Sequence, residues 1–236
     1  MKGMSTLATE ISVVIPVGPY PGNVQWLDEC INSALDQTHQ PAQLIIIDDG
    51  ADLKREDLPH GTKLWHSPWQ LGVAAAFNVG IGLSSTNCVF MLGSDDTLEQ
   101  QCLAACADKY ERTDRRDLAY FWTGVRYSDG REDQYLPCHA AMVTQTLWHH
   151  CGGFPPESAS GAPDAALISI LLGNKDAGDL VCVNPHMPLY NYRVHDDTDT
   201  ARRAEWQGVI LSTRDILTRT WNAKHYTFNL QPSNVR

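Results

Sequence analysis

The amino-acid sequence predicts an α/β domain built on a doubly wound, mostly parallel sheet flanked by helices. Three observations carry that expectation. Short apolar runs alternate with amphipathic segments of helical spacing along residues 11–112. One run, Leu44-Ile45-Ile46-Ile47, is apolar without interruption, as a strand covered on both faces must be. Several runs end abruptly, at Pro16-Val17, at Asp48-Asp49 and at Gly93-Ser94-Asp95-Asp96. In a parallel sheet these ends share one edge, outside the carboxyl ends of the strands, where such sheets bind ligands.

Taken in order, Ile11 to Val17 is a buried strand ending at a proline. After the loop Gly18 to Gly22, Asn23 is placed to cap a helix carrying Val24, Leu27, Ile31, Ala34 and Leu35 and ending near Gln37. Leu44 to Ile47 and Leu64 to His66 are strands, and Gly72 opens an Ala-rich helix over Val73 to Leu83. Val89 to Leu92 is a strand, followed by a helix from about Thr97 to Tyr110. The second half starts with an aromatic, β-prone stretch, Leu118 to Tyr127, and a hairpin signal at Asp129-Gly130. Leu136 to Val143 leads into a helix that stops at Gly152-Gly153-Phe154. A helix from Asp164 to Leu172, strands at Val181 to Val183 and Leu189 to Arg193, and a last helix over Arg203 to Trp221 complete the reading.

Two adjacent carboxylates at the open end of an apolar strand are costly unless they are solvated or paired. Asp95 and Asp96 therefore have two readings. They grip a divalent cation, since hard cations take carboxylate oxygens, or Asp96 caps the helix expected from Thr97.

The 236 residues are 43% hydrophobic and 19% charged, enough for one large α/β domain with a sizeable core. A net charge of -10 argues against broad, sequence-independent nucleic-acid binding. Met1 to Glu10 lacks the apolar core of a signal peptide, and no apolar run reaches membrane-spanning length. Seven cysteines without a CxxC pair predict free, mostly buried thiols in a reducing cytoplasm. The histidines at 139, 149 and 150 form no zinc spacing with Cys138 and Cys151.

Several of these motifs, in this order, resemble the family 2 glycosyltransferases, inverting nucleotide-sugar enzymes of the Rossmann-like GT-A fold. The resemblance runs from about Ile11 to Thr200. It is carried by Ser12 to Val17, Ser33-Ala34-Leu35-Asp36-Gln37-Thr38, Ile46 to Gly50, Gly72 to Gly80, Leu92 to Asp96, Gly152-Gly153-Phe154, Asp164 and Tyr192-Arg193-Val194-His195. It implies a single GT-A domain with a nucleotide-sugar-binding half over 11–112 and an acceptor-binding half over 113–200. A short tail, 1–10, precedes it, and a helix and tail, 201–236, follow.

The resemblance also implies roles. Asp96 would be the preferred direct ligand of a Mn²⁺ or Mg²⁺ ion, with Asp95 on the ribose or also on the metal and His195 completing the shell. Asp49 would read the nucleotide base through its acceptor-only carboxylate, with Asp48 supporting the loop. Pro16 and Val17 would line the base and ribose pocket through their backbone, and Gly72 and Asn78 would lie near the nucleotide. Asp164 would be the general base that takes the acceptor hydroxyl's proton, kept ionised by its place at a helix amino terminus. Trp148, His149 and Phe154 are candidates for the acceptor or sugar wall; as aromatics they serve equally well as core. The chain departs from the family pattern at Gly93, where an acid is usual, and at Gly18, Phe77 and Pro163.

The leading expectation is a metal-dependent transferase moving sugar from a nucleoside diphosphate sugar, UDP-sugar foremost, to a glycan or another hydroxyl-bearing acceptor. A non-catalytic nucleotide- or sugar-binding module on the same fold is the alternative. A nucleotidyltransferase is disfavoured, because no Gly-rich phosphate loop with a following lysine adjoins the first strand.

Overall fold

The computed structural model describes residues 8–133, 140–154, 167, 168, 171 and 176–196. Asp164, Pro163, the expected helix over Arg203 to Trp221 and most of the 1–10 tail lie outside the described residues. Of the helix expected from Asp164, Leu167, Ile168 and Leu171 are described; they are helical and buried.

Strand β1 (Ile11–Val17) is central. It pairs in parallel with β2 (Gln43–Asp48) on one side and β4 (Cys88–Met91) on the other, and β2 pairs in parallel with β3 (Lys63–His66). Beyond β4, β9 (Ala141–Thr144) runs antiparallel between β4 and β6 (Ala119–Trp122). At that edge β10 (Asp179–Cys182) lies parallel to β6. The mostly parallel sheet expected from the apolar runs is thus present, and it has seven strands.

Its two faces bury separate side-chain sets, as the period-2 geometry of strands demands. Val13, Ile15, Ile46 and Phe90 meet helices α2 (Leu27–Leu35) and α4 (Cys102–Glu111) on one face. On the other, Val14, Ile45, Ile47 and Val89 meet α3 (Val73–Leu83) and α5 (Gln145–Cys151). Helix α3 lies so close to β1 that a Cβ at Gly80 would stand 2.3 Å from Val14 Cγ1. Among the described cysteines all six are free, and four of them are buried. No described helix is long and apolar enough to cross a membrane.

Two stretches need correction. The first helix is broken: α1 (Pro21–Gln25) and α2 are separated by Trp26, whose φ of −110° and ψ of 9° leave the helical range. Asn23 is inside α1 and caps nothing, because Pro21 opens that turn. The helix expected from Thr97 starts only at Cys102, so the reading of Asp96 as its cap is overturned. Thr97 and Leu98 instead form β5, paired antiparallel with β11 (Tyr190–Tyr192), which buries Leu98 in a second sheet. The helix expected after Val143 and ending at Gly152 is present as α5, reached from strand β9. It is capped by Thr144 Oγ1, which accepts from Leu147 N at 3.1 Å.

The second sheet has the order β5-β11-β7-β8, with β7 (Val125–Tyr127) and β8 (Glu132–Asp133) joined by the hairpin expected at Asp129-Gly130. It lies against the end of β4, and so brings residues after Tyr192 back to the paired acids.

Candidate active site

The segment from Gly93 to Asp96 leaves β4 and turns directly into β5. Asp96 is buried, and both of its oxygens are engaged: Oδ2 accepts from the Tyr190 hydroxyl at 2.6 Å, and Oδ1 from Arg193 N at 2.8 Å. Burial, and then the neighbouring Asp95 charge, push the Asp96 carboxyl well above the usual carboxylate range, against the pull of those two donors. Asp95 turns the other way. Its Oδ2 lies 2.9 Å from His195 Nε2, with the two side chains 16% and 13% exposed, so this pair rather than Asp96 faces the open edge.

The surroundings hold this pair in place. Arg193 donates to the Asp95 carbonyl through Nε at 2.9 Å and to Glu29 Oε2 at 2.6 Å, while its guanidinium lies 4.8 Å from the centre of the Trp26 ring. Trp26 also packs on His195, ring centres 4.5 Å apart. From below, Cys30 Sγ donates to Gly93 O. The motif Ser33 to Thr38 proves to be a buttress for the acid loop. Ser33 Oγ accepts from Leu98 N, Gln37 bonds both Glu99 O and Leu103 N, and Thr38 N donates to Gln100 O.

Gly93 has no room for a side chain. A Cβ there would stand 2.7 Å from Asp96 Oδ2 and 3.2 Å from the Tyr190 hydroxyl, to which Gly93 N itself donates at 3.0 Å. The Tyr190 phenol thus crowds the place where a third acid would project.

One strand over, Asp48 is a loop anchor, as expected. It accepts from Gly50, Ala51 and Leu53 N–H groups and from His66 Nδ1 at 2.8 Å. Asp49 takes Leu71 N at 2.6 Å on one oxygen and Gly72 N at 2.8 Å on the other, leaving each oxygen a second lone pair. Burial raises the Asp49 carboxyl above its ordinary range in spite of these bonds. Gly72, the residue before α3, has φ 82° and ψ 159°, a backbone state that favours glycine. Pro16 and Val17 are both buried, and Val17 O accepts from Asp49 N at 2.8 Å, which ties the end of β1 to the end of β2.

Asn78 does something the sequence did not predict. Its side-chain amide clamps Phe154 at both ends: Nδ2 donates to Phe154 O and Oδ1 accepts from Phe154 N, each at 3.0 Å. Phe154 and Trp148 are both buried and meet edge to face at 4.5 Å, so they form core behind the Gly-Gly-Phe turn. His149 is exposed and its Nδ1 bonds Gln145 O at 2.7 Å. The Asn78→Ala variant is expected to lose about 2 kcal/mol in urea denaturation, because two backbone groups lose their partners. A variant of unchanged stability but weakened nucleotide binding would instead place Asn78 on the ligand.

Asn23 Oδ1 is the buried side-chain polar atom left without a hydrogen-bond partner among the described residues. It lies next to Gly18, just past the end of β1, while the same side chain's Nδ2 donates to Ser94 Oγ at 3.1 Å. An orphaned acceptor between two strand ends suits a ligand hydroxyl.

The acid-rich carboxyl ends of a mostly parallel sheet, closed by a second small sheet, define a GT-A α/β protein. The chain belongs to glycosyl transferase family 2, whose model matches residues 12–156. Among curated proteins, it is 24% identical over 154 residues to the glycosyltransferase GlyG of Streptococcus pneumoniae, covering 61% of this chain and 50% of GlyG. It is 36% identical over 97 residues to an uncharacterized glycosyltransferase of Rickettsia conorii, 37% of this chain and 15% of that protein. The chain therefore spans half or less of the length of these relatives. Among solved structures, S. aureus TarS 1-349 in complex with UDP-GlcNAc superimposes with a TM-score of 0.69 at 13% identity, covering 92% of this chain and 68% of TarS. The same protein with UDP gives 0.68. At that identity the likeness is one of fold.

Proposed function

We propose that this protein transfers a sugar from a nucleoside diphosphate sugar, UDP-sugar foremost, to an acceptor hydroxyl with inversion at the anomeric carbon. The observation that carries this reading is the convergence of Asp95 Oδ2 and His195 Nε2, 2.9 Å apart, at the carboxyl edge of the sheet. Family membership and the fold shared with TarS, solved with UDP and with UDP-GlcNAc, support a nucleotide-sugar donor.

The donor set suits a Mn²⁺ or Mg²⁺ ion. Carboxylate oxygen and imidazole nitrogen point to one place. No group of three acids, histidines or cysteines able to hold a metal forms among the described residues, so diphosphate oxygens and water would complete the shell, a usual arrangement for Mg²⁺. Asp95 and His195 would hold the ion, and Asp96, engaged by Tyr190 and Arg193, would shape the loop that presents Asp95. When bound, such an ion neutralises charge that develops on the departing diphosphate.

The chain's own residues supply the rest. Asp49, at the end of β2, would accept a ring N–H of the base. Asn23 Oδ1 would accept a hydroxyl of the donor. In the transfer, the acceptor oxygen forms a bond to the anomeric carbon as the bond to the diphosphate oxygen breaks, with the electron pair leaving on the diphosphate. Asp164 would take the acceptor proton. In this scheme residues 11–112 bind the donor and residues 113–200 the acceptor, except that His195 joins Asp95 at the ion.

The test is hydrolysis and transfer from a panel of nucleoside diphosphate sugars with Mn²⁺ or Mg²⁺. The Asp164→Asn variant is expected to lower the transfer rate by about 10³-fold and to leave nucleotide affinity unchanged. Full transfer by that variant would rule out Asp164 as the base. Donor binding without turnover under any metal would favour the second reading, a non-catalytic binding module, to which the crowding at Gly93 gives some support.

A further inference from the structure

Four large hydrophobic side chains are exposed among the described residues, and the most exposed is the one aromatic, Trp69, at 69%. A single exposed hydrophobic side chain is ordinary on a protein surface. What singles out this indole is its position. Trp69 lies in the connection from β3 to α3, at the carboxyl edge of the parallel sheet, and both ends of that connection are fastened to the Asp48-Asp49 step. Ser67 N donates to Asp48 O at 2.8 Å, and Leu71 N and Gly72 N donate to the two oxygens of Asp49. Between these anchors the Ser67 hydroxyl donates to the Trp69 carbonyl, and Pro68 restricts the turn. The backbone under the indole is therefore fixed while the ring itself is free of the core.

We propose that Trp69 is a base-stacking residue: its indole covers one face of the donor's nucleobase while Asp49, two residues from it through Leu71, accepts a ring N–H at the base's edge. This rests on the nucleotide-sugar reading above and adds to it the residue that selects a planar base. The chemistry is complementary. An aromatic face supplies sequence-tolerant stacking, and an acceptor-only carboxylate with spare lone pairs supplies direction. The Asp49 carboxylate keeps one lone pair on each oxygen beyond those taken by Leu71 and Gly72.

The experiment is calorimetric titration of the full chain with UDP, GDP and dTDP, repeated for Trp69→Ala and Trp69→Phe with whichever nucleotide binds and with its monophosphate. Trp69→Ala is expected to weaken both the diphosphate and the monophosphate by about tenfold, because the lost contact is to the base. Trp69→Phe should keep most of the affinity. Thermal melting checks that this surface change leaves the fold intact. Equal affinity for wild type and Trp69→Ala overturns the inference and leaves the nucleotide-sugar reading standing. So does a defect confined to the acceptor KM, which would place the indole on the acceptor instead. Failure of the wild-type chain to bind any of the three diphosphates overturns both.

Discussion

The Asp95→Ala variant is expected to lose about 10³-fold in turnover of the nucleotide-sugar donor, whereas Asp96→Asn should retain most of it. The two acids are adjacent in sequence and opposite in environment. Among the described residues the Asp95 side chain pairs with His195 alone, at the open edge, and its removal would take away half of the protein's hold on the proposed cation, which would offset diphosphate charge. Asp96 is enclosed. An asparagine there reproduces its contacts: the amide oxygen accepts from Arg193 N, and the amide nitrogen donates to the Tyr190 hydroxyl oxygen, which can also accept. Metal-dependent donor hydrolysis, with Mn²⁺ affinity followed by electron paramagnetic resonance, separates the two. Should Asp96→Asn fall as far as Asp95→Ala in both measurements, Asp96 ligates the ion directly and the division of labour is reversed.

Placing at position 93 the acid that the family resemblance implies there, by Gly93→Asp, is expected to destabilise the protein by about 3 kcal/mol and to lower rather than raise activity. The Cβ alone would overlap Asp96 Oδ2 at 2.7 Å, and a third carboxylate would join two that already repel. Removing the phenolic hydroxyl as well, in Gly93→Asp with Tyr190→Phe, relieves one of the close contacts but leaves Asp96 without its strongest donor, so stability should not return to the wild-type level. Urea denaturation of the two variants beside wild type gives the answer. A Gly93→Asp protein as stable as wild type, with tighter Mn²⁺ binding, would mean that the loop opens to admit the acid.

Much of the fold was legible because uninterrupted apolar runs are unambiguous. β1, β2 and α3 fall where periodicity placed them. What failed was local: Asp96-Thr97-Leu98 looks like a cap followed by a helix, and only β11, arriving from more than ninety residues away, turns it into a strand. The split of the first helix at Trp26 was equally invisible, since the apolar spacing continues across it; the tertiary stack with Arg193 and His195 holds that residue. Of the candidate site, the acids could be found from their place at strand ends. Their division could not. Whether a carboxylate faces solvent or a buried tyrosine depends on Tyr190, which lies outside the motifs, and on the backbone of Arg193, whose motif does not show which acid it meets. Asn78 and Trp69 show the converse. The first, a motif residue, is spent on pinning Phe154, and the second, outside every motif, is left facing the water.

The ribbon formed by β5 and β11 has a consequence for the order of events during synthesis. Asp95 and Asp96 emerge about a hundred residues ahead of His195, Arg193 and Tyr190, and for that interval the Asp96 carboxylate has neither of its two donors. The core strands around β1 can assemble in the meantime, since β1, β2, β3 and β4 are all made by residue 91. A nascent chain halted before residue 190 would therefore hold a largely paired sheet with the candidate site unfinished. Closing that long loop is slow compared with local folding, so recovery of metal and nucleotide binding after dilution from denaturant should lag behind recovery of secondary structure.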